Sequence, residues 1–282
     1  MARPFSVAYA KRIIEEHREI IEKLNSAPAT IEQYKEEIEK STEELVAKEV
    51  LSMLREIPIE EINRDKRGFR VKALRDHGYT TLADVASASV FSISSVYGIS
   101  EDSAFSIKSI VNSIAAKARQ GVKIRLSTDV KTKETTRIIS AISKYKRSMP
   151  VIQECRQLLA DNQQRIQYAT EDVSLVFSGI KWFFASRTKK QKATDAYLTL
   201  IDLRNNEYGQ GAKAAIAQLD RIKQSDSLTA WTDFANNPIQ FFNILEEITP
   251  GILGNDDAMY GLPEDLAHEI QEECFFPDGL LC

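Results

Sequence analysis

The chain has 282 residues, 43% hydrophobic and 28% charged, an ordinary soluble composition that supplies a core and leaves room for two domains or three small ones. With 37 basic and 41 acidic residues the net charge is −4, so no global positive charge advertises nucleic-acid binding, and any such function must sit in a local patch. Three cysteines, Cys155, Cys274 and Cys282, form no C-x-x-C pair, which argues against a disulfide scaffold or a zinc site and fits a reducing cytoplasm. The N-terminal M-A-R-P-F-S-V lacks an apolar signal core. The most apolar run, 173–185, is shorter than the roughly 20 residues of a membrane span and carries Lys181, so a buried helix is expected there.

In the N-terminal arm, residues 1–56, Ile13, Ile14, His17, Ile20, Ile21 and Leu24 recur at helical steps, with Glu15, Glu16, Glu19, Glu22 and Lys23 on the other face. That spacing predicts an amphipathic helix. Asn25-Ser26-Ala27-Pro28-Ala29 breaks it. Thr30 with Gln33 then reads as a capping box opening a second helix, striped by Ile31, Tyr34, Ile38, Leu45, Val46, Val50, Met53, Leu54 and Ile57. The pair predicts an antiparallel helical hairpin. Its glutamate-rich outer faces are either solvated surface or a coiled-coil seam for a protein partner. His17 has no second His or Cys at i+3 or i+4, so it is expected at the edge of the core and not as a metal ligand.

Pro58 ends the second helix. Residues 57–121 then carry a compact apolar set that includes Ile59, Ile62, Leu74, Leu82, Val85, Phe91, Ile93, Val96, Ile99, Ala104, Ile107 and Val111. Two short glycine turns interrupt it, His77-Gly78-Tyr79 and Val96-Tyr97-Gly98-Ile99-Ser100. Thr81 with Asp84 is a second capping box, opening a helix over 82–88, and Ser100 is an N-cap for a helix from Glu101 to about Arg119. Small helices joined by hairpins are therefore expected. At the second turn, Gly98 can take a positive φ and let other groups approach the backbone. The amides that follow point out of a helix N-terminus, where the dipole favours an anion. Set on a phosphate, such a turn grips a nucleic-acid backbone without reading bases.

The stretch L-R-D-H-G-Y-T-T-L-A-D-V-A followed by V-Y-G-I-S-E-D-S-A-F-S-I resembles a helix-hairpin-helix domain. It is similar to the N-terminal domain of the RecA-like recombinases of eukaryotes and archaea and to the C-terminal domain of the bacterial RNA polymerase alpha subunit. The resemblance implies that the hairpin, here Tyr97, Gly98, Ile99 and Ser100, and the start of the next helix contact DNA phosphates. The family pattern often has a second Gly where this chain has Ser100, a position at which recombinase-type examples also carry Ser. The cations available to help are Lys66, Arg67, Arg70, Lys72 and Arg75 on one flank and Lys108, Lys117, Arg119, Lys123 and Arg125 on the other. Tyr97, Gly98, Ile99, Ser100, Lys72, Arg75, Lys108, Lys117 and Arg119 form the candidate DNA-binding set. Glu101 and Asp102 oppose a phosphate at the first turn of the last helix. The alternative is that the unit is a spacer or a protein-docking element.

Residues 122–282 read as a further helical domain. Val122-Lys123-Ile124-Arg125-Leu126 suits a short strand or an extended connector. A helix marked by Ile138, Ile139, Ile142 and Tyr145 is expected to end near Lys146-Arg147, and Pro150 to open the next. The apolar stretch 171–185 predicts a core helix, followed by the basic cluster R-T-K-K-Q-K, which is a solvated turn or an extension of a basic path. Helices over 196–203 and 212–222 flank an expected turn at 205–211, and Pro238 opens a helix with Phe241, Phe242 and Leu245. The tail G-L-P-E-D-L-A-H-E-I-Q-E-E-C-F-F-P-D-G-L-L-C is similar to the segment just before the ATPase core of bacterial Swi/Snf-type DEAD/DEAH-box helicases. Its apolar end suggests a chain cut before something it packs against.

Walker A, H-E-x-x-H, G-x-S-x-G and a Cys/His nucleophile pair are absent from the sequence, and no catalytic, metal or cofactor site is expected in this chain. The fold expected is all-α, in three segments: a helical hairpin over 1–56, a helix-hairpin-helix domain over 57–121 and a helical bundle over 122–282. The function expected is that of a non-sequence-specific DNA-binding accessory region, acting in cis for a helicase motor. A protein-interaction scaffold is the alternative.

Overall fold

The computed structural model describes residues 7–174 and 182–253. Its long helices are α1 (Val7–Ser26), α2 (Ala29–Arg55), α6 (Glu101–Gly121), α7 (Lys133–Ser174), α8 (Arg187–Asn205) and α9 (Glu207–Lys223). Shorter ones are a 3₁₀ turn (Ile59–Asn63), α3 (Val71–Asp76), α4 (Leu82–Ser87), α5 (Val90–Ser94), α10 (Ser227–Asn236) and α11 (Pro238–Ile248). The fold is all-α: no strand forms among the described residues, where β pairing is confined to an isolated bridge between Pro58 and Thr81. No helix among them is long and apolar enough to cross a membrane.

By contact the chain divides into two units, residues 1–37 with 140–233 and residues 38–139 with 234–282. Segment 57–121 falls inside the second unit, whereas α1 and the front of α2 group with 140–233.

In the first unit α1 packs on α8 and α9, which pack on each other. The predicted stripe of α1 is the buried one: Ile13, Ile14, Ile20 and Leu24 are all inside. His17 goes deeper than the core edge, at 1% exposed. Its Nε2 lies 2.8 Å from the Leu200 carbonyl, and its ring stacks on that of Tyr208 at 6.4 Å. Burial lowers its pKa, and burial pushes the Tyr208 hydroxyl up to about 12. Both are therefore neutral core groups at neutral pH.

Several sequence expectations need correction. The second helix starts at Ala29, so Thr30 lies inside its first turn and is buried. The chain does not stop near Arg147: α7 runs through Pro150 as one helix of 42 residues. A proline there removes one backbone bond at a cost of about 3 kcal/mol. Burial of Ile138, Ile139 and Ile142 before it and of Val151, Ile152 and Cys155 after it holds the helix across the gap. The turn expected over 205–211 shrinks to Asn206, which ends α8 and caps α9 through its side chain. Gly209 lies in the first turn of α9, where a Cβ would overlap the Leu203 and Arg204 carbonyls, so the close approach requires glycine. Of the core helix expected over 171–185, Val173 is buried, but Phe183 and Phe184 are exposed and residues 175–181 lie outside the described residues. The tail 261–282 also lies outside them.

In the second unit α6 packs on α4, α5 and the 3₁₀ turn. Ile59, Ile62, Leu74, Leu82, Val85, Ile93, Val96, Ile99, Ala104, Ile107 and Val111 form its buried set. Phe91, expected in that set, is 81% exposed. The helix α5 is only five residues long and turns a single face, that of Ile93, inward. Residues 122–126 are an extended connector: Val122, Ile124 and Leu126 are buried, and the Ile124 amide donates to the Ile252 carbonyl at 3.1 Å. Pro238 occupies the start of α11, whose Phe241 and Phe242 meet Phe234 edge-on.

Candidate nucleic-acid interface

Local chemistry builds the two helical hairpins. The first joins α3 to α4 through Gly78, at φ +94°. The Tyr79 amide folds back to the Leu74 carbonyl at 3.1 Å, and the Ile59 amide donates to Thr80 at 3.0 Å. Thr81 and Asp84 form the reciprocal capping box read from the sequence. Burial pushes the Asp84 carboxyl up, but hydrogen bonds from the backbone and hydroxyls of Thr80 and Thr81 outweigh it and hold the group below the usual carboxylate range.

The second hairpin joins α5 to α6. Ser89 caps α5 through the Ser92 amide, and Ser100 caps α6 through the Ser103 amide at 3.2 Å. Gly98 stands between them at φ +84°. This turn is not empty surface. A Cβ built on Gly98 would collide with Nη1 of Arg70, the residue that precedes α3. At Gly78 a Cβ would meet nothing within 4 Å. The fold thus carries one arginine of the basic flank to the hairpin turn, across 28 residues of sequence (98 minus 70).

The predicted site residues fare differently. Tyr97 is 92% exposed at the turn. The Ile99 side chain is buried and its amide donates to the Val96 carbonyl at 3.0 Å, so this residue shapes the turn from inside. Ser100 is exposed, and its hydroxyl is engaged with Ser103. Lys108 turns inward: its Nζ donates to the carbonyls of Val85, Ala86 and Ala88, the last at 2.7 Å, and burial lowers its pKa. It is the C-cap of α4 in function, a use of lysine at a helix end that satisfies orphan carbonyls.

Arg119 forms a two-pronged ion pair with Glu43, and this bond holds the Glu43 carboxyl below its ordinary range. Arg75 pairs with Glu60, Arg67 with Asp65 and Arg64 with Glu61. Lys117 lines a cleft of about 540 Å³ together with Glu61, Arg64, Asp65 and Arg67. Lys123 donates to the Gly251 carbonyl at 2.7 Å. Among the described residues neither Lys72 nor Arg70 has a carboxylate partner. Phe91, Tyr97 and Phe105, all within a few residues of the turn in sequence, are exposed.

Chemically, the arrangement offers one guanidinium, a glycine without a side chain and the start of a capped helix. The Glu101 and Asp102 amides lie beyond the reach of intrahelical acceptors by position, while their carboxylates face solvent. Comparison with known proteins adds no relative: no family model, curated protein or solved structure matches this chain.

Proposed function

We propose that segment 57–121 holds DNA by its phosphate backbone, without sequence preference, at the turn 96–100. The observation that carries this reading is the Arg70 guanidinium lying against the exposed, left-handed Gly98, two residues before the Ser100 cap. Gly98 lets a phosphate approach the backbone, the unpaired amides at the start of α6 donate to its oxygens, and Arg70 supplies the charge. The likeness of L-R-D-H-G-Y and V-Y-G-I-S to helix-hairpin-helix domains supports the same use. Glu101 and Asp102 work against it, so the contact is weak and salt-sensitive. The tail 261–282 extends the reading to an accessory region acting in cis for a Swi/Snf-like helicase motor.

The test is fluorescence anisotropy of a labelled duplex at low salt, with Gly98→Ala set beside Gly78→Ala. Gly98→Ala should lose several-fold in affinity while Gly78→Ala, the same backbone strain without an arginine above it, stays near wild type. Equal affinities for the two variants would remove the turn from the interface.

The exposed Phe91, Tyr97 and Phe105, together with the engagement of Lys108, Arg75 and Arg119 inside the unit, favour a second reading, a protein-docking scaffold. It predicts no duplex binding even at the lowest salt.

A further inference from the structure

The first unit carries an exposed patch that the hairpin does not explain. In sequence, the stretch 182–194 carries Arg187, Lys189, Lys190 and Lys192 and no acidic residue. Just ahead of α8, Phe183 and Phe184 are 76% and 80% exposed, with their rings edge-on at 5.3 Å. Lys190 sits 5.6 Å above the Trp182 ring, and Lys192 pairs with Asp172 at 2.9 Å. Neither Arg187 nor Lys189 has a carboxylate partner among the described residues.

These charges do not serve the helix. Arg187, Lys189 and Lys190 crowd the first turn of α8, which has no acidic residue, and cations at that end oppose the helix dipole. The rings do not serve the core either: α8 buries Ala193, Ala196, Tyr197, Leu200 and Leu203 without them. Aromatic rings and cations kept together in solvent match a polyanion whose planar groups are free to stack. Single-stranded nucleic acid is that ligand, because its bases are unpaired and its phosphates follow at each step. In a duplex the bases are already stacked. A bilayer surface fits less well, since two rings offer little apolar area and the buried face of α8 is already covered.

We infer that Phe183, Phe184, Arg187 and Lys189 form a binding site for single-stranded nucleic acid, separate from the hairpin turn and not dependent on it. The rings stack on bases, and the two unpaired cations hold phosphates.

The experiment titrates the full chain into a fluorescein-labelled oligothymidylate, the matching duplex and phosphatidylserine vesicles. The variants are the doubles F183A/F184A and R187E/K189E, with G98A as a control for the hairpin. Each double should weaken oligothymidylate binding by about tenfold or more, while G98A weakens duplex binding and leaves most of the oligothymidylate affinity in place. As a milder probe, F183W should show tryptophan quenching when oligothymidylate is added. Unchanged oligothymidylate affinity in both doubles, or no quenching in F183W, overturns the site. Loss of vesicle binding in F183A/F184A with oligothymidylate binding intact also overturns it, in favour of a membrane surface.

Discussion

Gly78 and Gly98 sit in neighbouring turns of one unit, each left-handed and each followed by a capped helix, yet their surroundings differ. Gly78 has open space where a side chain would go, whereas Gly98 has Arg70. The first glycine needs only its φ. The second needs its φ too, and a Cβ there would also push aside the flexible end of Arg70. A guanidinium against bare backbone is the arrangement on which the proposed phosphate contact rests, and Gly78 lacks it.

The largest effect that sharpens this contrast lies with Lys108. Were it part of the binding face around Gly98, its loss would cost affinity and little stability. Its three carbonyl contacts assign it to folding, so Lys108→Met should lower the unfolding free energy in urea by about 1–3 kcal/mol. Duplex affinity, measured where the variant is still folded, should stay near wild type. A drop in affinity at unchanged stability would return Lys108 to the interface.

Next come the glycines themselves. Gly78→Ala and Gly98→Ala should each cost about 1–2 kcal/mol, since a Cβ is strained at positive φ in both turns. Their stabilities should therefore be alike while their duplex affinities part. If Gly78→Ala lost as much affinity as Gly98→Ala, the effect would be a global loosening of the unit.

The smallest effect concerns Arg119, the cation farthest along α6. Its pair with Glu43 is half exposed on both sides, so Arg119→Ala should cost only about 0.2–1 kcal/mol. Glu43 is held below its ordinary value of 4.5 by the Arg119 hydrogen bond. The contribution is thus complete above that value and fades as pH falls through the lowered one. In acid titrations of stability, wild type and Arg119→Ala should converge at the low end. A constant gap would mean that Arg119 acts through packing.

What could be read in the sequence was local. The Thr81/Asp84 box and the Ser100 cap span four residues each and were legible as written. The stripe of α1 was legible because helical spacing alone marks a buried face. In α2 the stripe has a gap that Ser41 and Thr42 fill, both buried, and small hydroxyl residues give no apolar signal. Pro150 misled for a related reason: the forces that carry α7 across it come from residues packed on it and not from the proline's own preference. The cations of the candidate site were the least legible. Arg119 meets a partner 76 residues away and Lys108 carbonyls 20 to 23 residues away, so charge in sequence did not reveal which charges were already satisfied. Nor did it reveal that Arg70, one cation among five on its flank, would be the one carried to Gly98.

Arg70 is therefore where the account is most directly tested. Duplex affinity of wild type and Arg70→Ala, followed across a range of salt concentrations, should differ in both strength and slope. The account predicts weaker binding, a plot of log K against log salt shallower by about one phosphate contact, and an unfolding free energy within about 0.5 kcal/mol of wild type. An unchanged affinity and slope in a folded Arg70→Ala would contradict it.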